Sequence, residues 1–323
     1  MKKLSVIIPL YNAEAYVAKC LESICGQQDI PLSTYEVIVV NDESPDNSRD
    51  VVVQLAAKYD NIIIKDQPNG GASAARNNGL GFAQGEYVIF ADADDYFEEN
   101  RLGQLVEILD ANRPELLSFT FTTVNEEGTP ITNRSCTRKC TTYPNHHFLS
   151  QDELCNPAVW AYVFRRDFLD EHQLRFIEGI VCEDLEFTPR AVSFAKTIVH
   201  WDCPFYRYVI RNVSVTHSPR LSLHRINSYE KVFESLLDFV KQHDMAPRLK
   251  SAFGKLFELH SRIWMDMCRE HGDPAVLDAK RRFLQRNRLL PFCYKDWNMG
   301  WCTVTKIRLQ ALKRYVKKLL GRA

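Results

Sequence analysis

The sequence carries no excess of charge of either sign: 41 lysines and arginines stand against 41 aspartates and glutamates in 323 residues. Such a balance leaves no general field to draw in polyanions, so nucleic acid is not an expected partner and any basic surface must be local. No apolar run approaches the ~18 residues that a membrane-spanning helix requires. The opening MKKLSVIIPLYNAEAY places two lysines before an apolar stretch, but Tyr11, Asn12 and Glu14 end it without a small-residue cleavage site. It reads as a first strand rather than a signal peptide. The ten cysteines include no Cys-x-x-Cys pair, which fits reduced thiols in a cytosolic protein better than a disulfide framework. Cys136, Cys140, His146 and His147 have poor spacing for zinc, and their segment reads as a hairpin. Internal repeats and low-complexity segments are also missing.

What is present is 45% hydrophobic residues, enough for a sizeable core, arranged in alternating strand and helix patterns. Strands are expected at Leu4 to Pro9, Tyr35 to Asn41, Ile62 to Asp66 and Tyr87 to Ala91. Helices are expected at Ala13 to Gln27, Asp46 to Tyr59 and Ala72 to Ala83. Units of this length imply right-handed crossovers, and so an α/β fold with a mostly parallel central sheet and helices on both faces. A helix near Arg101 to Ala111 and a strand at Leu116 to Val124 follow, then a turn-rich segment, then mixed short strands with one helix beginning near Glu183. After Ser222 the spacing of Leu and Phe becomes helical. The expected organisation is an α/β domain over residues 1–220 and a helical C-terminal region over 221–323.

The ends of the strands are polar in a pattern that suggests chemistry. The run Tyr87 to Ala91 stops abruptly at Asp92, Asp94 and Asp95. Crowded carboxylates raise one another's pKa unless a cation or donor compensates. Hard divalent cations prefer such oxygens, so the cluster is either a metal-phosphate site or a solvated turn capping the helix near Asn100. After the second strand, Ser44 or Asp46 can cap a helix, leaving Asp42 to accept hydrogen bonds from a nucleobase edge or to serve as a turn residue. Tyr11, after the first strand, is either a stacking surface for that base or a core residue. After the third strand, QPNGGASAARNNGL offers Gly70 and Gly71 for close backbone approach, a helix N-terminus that favours an anion, and Arg76 as a planar cation suited to phosphate. Farther along, Glu183 and Asp184 on their own read as acids complementing a helix dipole.

Taken together, LSVIIPLYNAEAYVAKCLESI, VIVVNDESPDNS, NGGASAARNNGL, GEYVIFADADDYFEEN and CEDLEF resemble the family 2 glycosyltransferases of the GT-A fold, particularly bacterial enzymes of surface-polysaccharide assembly. The resemblance is strong over residues 4–100, moderate to about 217 and fades after 222. It implies a Rossmann-like GT-A domain that binds a nucleotide-diphosphate sugar, most readily a UDP-sugar. It implies donor contacts at Pro9, Tyr11, Asn12, Asp42, Asn69, Gly71, Arg76, Asp92 and Ala93, with Asp94 as chief ligand of Mn2+ or Mg2+ and Asp95 as a third acid. It further implies a catalytic base in the pair Glu183 and Asp184. Adjacent helical residues point about 100° apart, and the resemblance favours Asp184, with Glu183 orienting it or contacting the acceptor. The segment YRYVIRNVSVTH resembles a family element in which Arg211 closes over the diphosphate, assisted by Ser214 or Thr216, with a surface salt bridge as the rival account. His217 is a further metal-ligand candidate, and Trp160 stands where relatives contact the acceptor, unless it packs in the core.

The reaction implied is an inverting, metal-dependent transfer to a hydroxyl of a saccharide or lipid-linked saccharide. The alternatives are a non-catalytic nucleotide-sugar-binding subunit and a sugar-1-phosphate nucleotidyltransferase. The second would be expected to show a Gly-rich phosphate loop after the first strand, and IPLYNAEAY has none. Finally, TVTKIRLQALKRYVKKLLGRA carries seven basic residues and no acid, interleaved with apolar residues at helical spacing. This is the pattern of a basic amphipathic helix on an anionic membrane, or of a terminal helix packed on the bundle. The expected location is the cytoplasm, peripheral on the inner face of the cytoplasmic membrane.

Overall fold

The computed structural model describes residues 2–132, 139–144, 157–211 and 223–289. Cys136, His146, His147, Ser214, Thr216, His217 and the basic segment 303–323 lie outside the described residues.

Strand β1 (Leu4–Leu10) pairs in parallel with β2 (Tyr35–Asn41) on one side and β4 (Tyr87–Phe90) on the other, and β2 pairs in parallel with β3 (Ile62–Asp66). Val6 stands between Val37 and Ile89 in this register. All residues of β2 and β4 are buried, as continuous apolar runs require when both faces of a sheet are covered. The chain winds from β1 to β2 to β3 and then returns across β1 to β4. The carboxyl ends of β1 and β4 therefore flank a topological switch point, where sheets of this kind open a ligand crevice.

Beyond β4 the sheet becomes mixed. β8 (Tyr162–Arg165) is antiparallel to β4 and to β6 (Leu116–Val124), and β6 runs parallel to the long β9 (Thr197–Val209). The short β5 (Tyr96–Phe97) and β7 (Cys140–Pro144) both pair antiparallel with β9. The fold is α/β, parallel through β3-β2-β1-β4 and mixed from there on.

Helix α1 (Val17–Cys25) packs with α2 (Ser48–Ala56), and α3 (Gly71–Phe82) lies on β1 and β2. A Cβ at Gly79 would stand 2.5 Å from Ile7 Cγ2, so only glycine permits this close approach of helix to strand. α4 (Leu102–Asn112) precedes β6, and the short α5 (Arg166–Glu171) follows β8. α6 (Glu183–Phe194) begins where the periodicity placed it, entered through Cys182 in the left-handed region at φ 66°. Its Phe187 stacks on Phe176 at 4.1 Å, and both rings meet Phe90 of β4 edge-on. This aromatic cluster sets the first turn of α6 beside the carboxyl end of β4.

The chain forms two compact units, Met1–Leu256 and Phe257–Ala323. The first includes α7 (Leu223–Gln242), which packs on α6. Ser235 of α7 donates to Glu186 Oε1 at 2.6 Å, and Phe239 meets Phe194 at 5.3 Å. α8 (Pro247–His271) contains the boundary. In the second unit Trp264 packs edge-on against Phe283 of α9 (Pro274–Arg286). α9 starts at a proline and is capped by Asp273, whose Oδ1 accepts from Ala275 N–H at 2.8 Å.

Cys20, Cys25, Cys140, Cys182 and Cys268 are free thiols. Cys203 is disulfide-bonded, which departs from the expectation of reduced cysteines throughout.

Candidate active site

The first acid of the site stands just after β2. Asp42 is 2% exposed, and its carboxylate accepts three hydrogen bonds. Gln67 Nε2 and Gly70 N–H donate to Oδ1 and Gly71 N–H donates to Oδ2, each at 2.8 Å. The amides at a helix N-terminus have no partners within the helix, and Asp42 takes those of Gly70 and Gly71 at the start of α3. The start of α3 thus has the chain's own carboxylate beside it. Gly71 takes φ +83°, a conformation open to glycine without strain. Asn69 extends the same turn, donating from Nδ2 to Asp42 O at 3.1 Å. Pro9, Tyr11 and Asn12 line the end of β1, where Tyr11 is 53% exposed and is thus no core residue.

After β4 the carboxylates of Asp92, Asp94 and Asp95 each place an oxygen within 4.8 Å of the others. Their partners differ. Asp92 Oδ1 receives Arg76 Nη2 at 2.7 Å, while Asp94 pairs with Arg211. Asp95 is buried, with Tyr206 Oη donating to Oδ2 and Val209 N–H donating to Oδ1, both at 2.8 Å. Tyr206 Oη also accepts from Asp92 N–H at 3.1 Å. Asp95 and Tyr206 thus pin the acidic loop to β9, with Ala93 buried between the acids. Burial, then Asp92, pushes Asp94 up to about 6 against the pull of Arg211. Burial, then Asp94 and Asp92, raises Asp95 well above the usual carboxylate range. An all-oxygen donor set suits Mg2+ or Mn2+, and Asp94 with Asp92 fits that role. Both oxygens of Asp95 are engaged in holding β9.

Arg76 joins this loop to α6. It is 3% exposed, and its Nη1 meets Glu183 Oε1 at 2.5 Å while Nη2 holds Asp92. Burial opposes its charge, yet Asp92, Glu183 and Asp184 raise its pKa. The sequence suggests a cation for phosphate; in the fold the guanidinium fork is engaged by two carboxylates brought from distant segments. Glu183 and Asp184 face different ways, as helical neighbours must. Glu183 is held by Arg76, whereas Asp184 Oδ2 accepts from Val159 N–H at 3.3 Å and its buried Oδ1 has no hydrogen-bond partner. Burial, then the charge of Glu183, pushes Asp184 up to about 8 against the pull of Arg76. Of the pair, Asp184 has the oxygen and the proton affinity suited to a base.

Trp160 is 6% exposed and lies parallel to Tyr206 at 4.5 Å and to Tyr208 at 5.4 Å, with Phe121 edge-on at 4.7 Å. Its ring packs in the core and braces Tyr206. Tyr206 itself escaped the sequence reading, because nothing in YRYVIR marks which tyrosine turns toward Asp95.

The glycosyl transferase family 2 profile matches residues 5–172, half of the chain. The chain belongs to this family. Among relatives of this glycosyltransferase, YibD of Escherichia coli is 32% identical over 232 residues, covering 70% of this chain and 66% of YibD. The poly(ribitol-phosphate) beta-glucosyltransferase of Bacillus spizizenii is 29% identical over 250 residues, covering 75% of this chain and 37% of its own. The crystal structure of Staphylococcus aureus TarS 1-349 in complex with UDP-GlcNAc superposes with a TM-score of 0.71 at 22% identity, covering 88% of this chain and 87% of that one. The likeness shows the GT-A fold. In this family 2 enzyme Asp42, Arg76 and Asp92 to Asp95 lie within the matched residues, whereas Glu183, Asp184 and Arg211 lie beyond them. The two ion pairs of Arg76 tie the parts together. No helix among the described residues is long and apolar enough to cross a membrane.

Proposed function

We propose that this glycosyltransferase is an inverting, divalent-metal-dependent enzyme that moves a sugar from a UDP-sugar to a hydroxyl of a saccharide or lipid-linked saccharide in surface-polysaccharide assembly. The observation that carries the reading is the asymmetry of the acidic pair: Glu183 is held by Arg76, while Asp184 keeps an unpartnered oxygen and a raised pKa. Support for the donor comes from the likeness to TarS, whose structure contains UDP-GlcNAc, and from the acidic loop at the switch point.

In this scheme Tyr11 offers its exposed ring to the base beside Asp42, and Asp94 with Asp92 would hold Mn2+ or Mg2+. Such an ion, when bound, stabilises the negative charge that develops on the departing diphosphate. Asp184, as carboxylate, takes the proton of the acceptor hydroxyl. The acceptor oxygen forms its bond to the anomeric carbon as the bond to the diphosphate oxygen breaks, and UDP leaves with the electron pair. Attack opposite the leaving group inverts the configuration. The basic segment 303–323 gives the enzyme a means of resting on an anionic membrane where a lipid-linked acceptor resides.

The test is nucleotide release across a panel of nucleotide-sugars with Mn2+ or Mg2+, comparing wild type with Asp94→Ala and Asp184→Asn. Metal-dependent UDP release from one donor, lost in Asp94→Ala, is expected, with Asp184→Asn binding that donor but turning over slowly. Failure to bind any nucleotide-sugar would refute the reading. Donor binding without transfer to any acceptor would instead favour a binding subunit.

A further inference from the structure

Asp92 and Asp94 each already have a guanidinium. Arg76 sits on Asp92 and Arg211 on Asp94. The two cations are not alike. Arg76 is 3% exposed and is also engaged by Glu183, so it is fixed in place. Arg211 is half-buried, pairs with Asp94, lies over the Tyr16 ring at 4.9 Å, and keeps a buried Nε without a hydrogen-bond partner. Its backbone is held close by: Val209 N–H donates to Asp95 Oδ1 at 2.8 Å and Ile210 N–H to Val124 O at 2.9 Å. Asp95 therefore anchors β9 two residues before Arg211, and a side chain so tethered presents its charge to Asp94 at a high local concentration.

A carboxylate facing a tethered guanidinium is a poor ligand for a free divalent ion, because the ion must first displace a charge-assisted contact. A diphosphate changes this balance. It supplies oxygens to the metal and gives the planar guanidinium a bidentate anionic partner in exchange for Asp94. Resting on the reading of Asp94 as the metal ligand, we propose that Arg211 is an internal competitor for the metal position. It makes divalent-ion binding conditional on a nucleoside diphosphate, so that metal and nucleotide bind cooperatively and neither binds well alone.

The experiment measures Mn2+ affinity of the full chain from the free-ion signal in electron paramagnetic resonance, without and with saturating UDP. It uses wild type, Arg211→Gln, Arg211→Lys and Asp94→Asn. Arg211→Gln is expected to bind Mn2+ alone more tightly than wild type by a factor in the range of about 5–150, the span of ordinary site–site coupling. The gain in Mn2+ affinity on adding UDP should shrink by a similar factor. Arg211→Lys, which keeps the charge, should stay near wild type. If Arg211→Gln binds Mn2+ alone no better than wild type while Asp94→Asn, with saturating UDP, binds it more weakly than wild type, the competition is overturned and the metal site stands. If, with saturating UDP, Asp94→Asn binds Mn2+ as well as wild type, the metal reading itself fails and the competition with it.

Discussion

Replacing Arg76 by glutamine removes a buried cation that joins α3, the acidic loop and α6. A guanidinium and a carboxylate with charge centres ~4 Å apart attract by about 4 kcal/mol at an effective dielectric of ~20. Arg76 has two such partners, Glu183 at 2.5 Å and Asp92 at 2.7 Å. Desolvation of the cation offsets much of this attraction in the wild type. Its loss leaves Glu183, with 15% of its side chain exposed, as the main uncompensated charge, while Asp92 at 33% is better hydrated. Breaking a buried pair in this way costs about 3–5 kcal/mol, a fall in Tm of roughly 6–20 °C for a domain of this size. Urea denaturation of Arg76→Gln, Glu183→Gln and the double variant measures the pair directly. The double variant should recover part of the loss, with a coupling of about 0.5–3 kcal/mol. Stability of Arg76→Gln within ~0.5 kcal/mol of wild type, or strictly additive single losses, would refute the claim that this guanidinium holds the two segments together.

Asp184 is pushed up to about 8, so a base at this position carries its proton at neutral pH, and kcat/KM should rise with pH through about 8 and level off above it. The folded pKa lies above the unfolded one, so this group's contribution to stability is present at low pH and lost as pH rises from about 4 toward 8; Asp184→Asn should flatten both profiles, and a rate that falls over this range would contradict the assignment. Tyr206→Phe leaves Asp95 Oδ2 and Asp92 N–H short of a buried partner, an expected loss of about 1–3 kcal/mol in denaturant titration, accompanied by a changed Trp160 fluorescence through the ring stack at 4.5 Å.

Local pattern made much of this protein legible. Largely apolar runs named β1, β2 and β4, because strands covered on both faces leave little room for polar residues, and the buried Ser5 and Glu36 are admitted as a hydrogen-bonded pair. The abrupt Asp92 to Asp95 cluster at the end of such a run marked the acidic loop, and helical spacing marked α6 at Glu183 and the helices from Leu223 onward. What pattern does not encode is where distant segments meet. Asp42 was readable as an acid at a strand end but not as the cap of α3, since its partners Gly70 and Gly71 lie across β3. Arg76 was readable as a cation near the site, yet its choice of Asp92 and Glu183 over an open phosphate position depends on the aromatic cluster of Phe90, Phe176 and Phe187 that brings α6 to β4. Trp160 and Tyr206 show the same limit: an aromatic side chain serves equally well as a sugar platform or a core brace until its neighbours are known. The sequence by itself determined the alternation of strands and helices and the chemical character of each strand end, because both follow from side-chain periodicity along one segment. Only the tertiary structure decided which acid is held and which is left open, because ion pairing, burial and the resulting proton affinities arise between segments as far apart in the chain as Asp94 and Arg211.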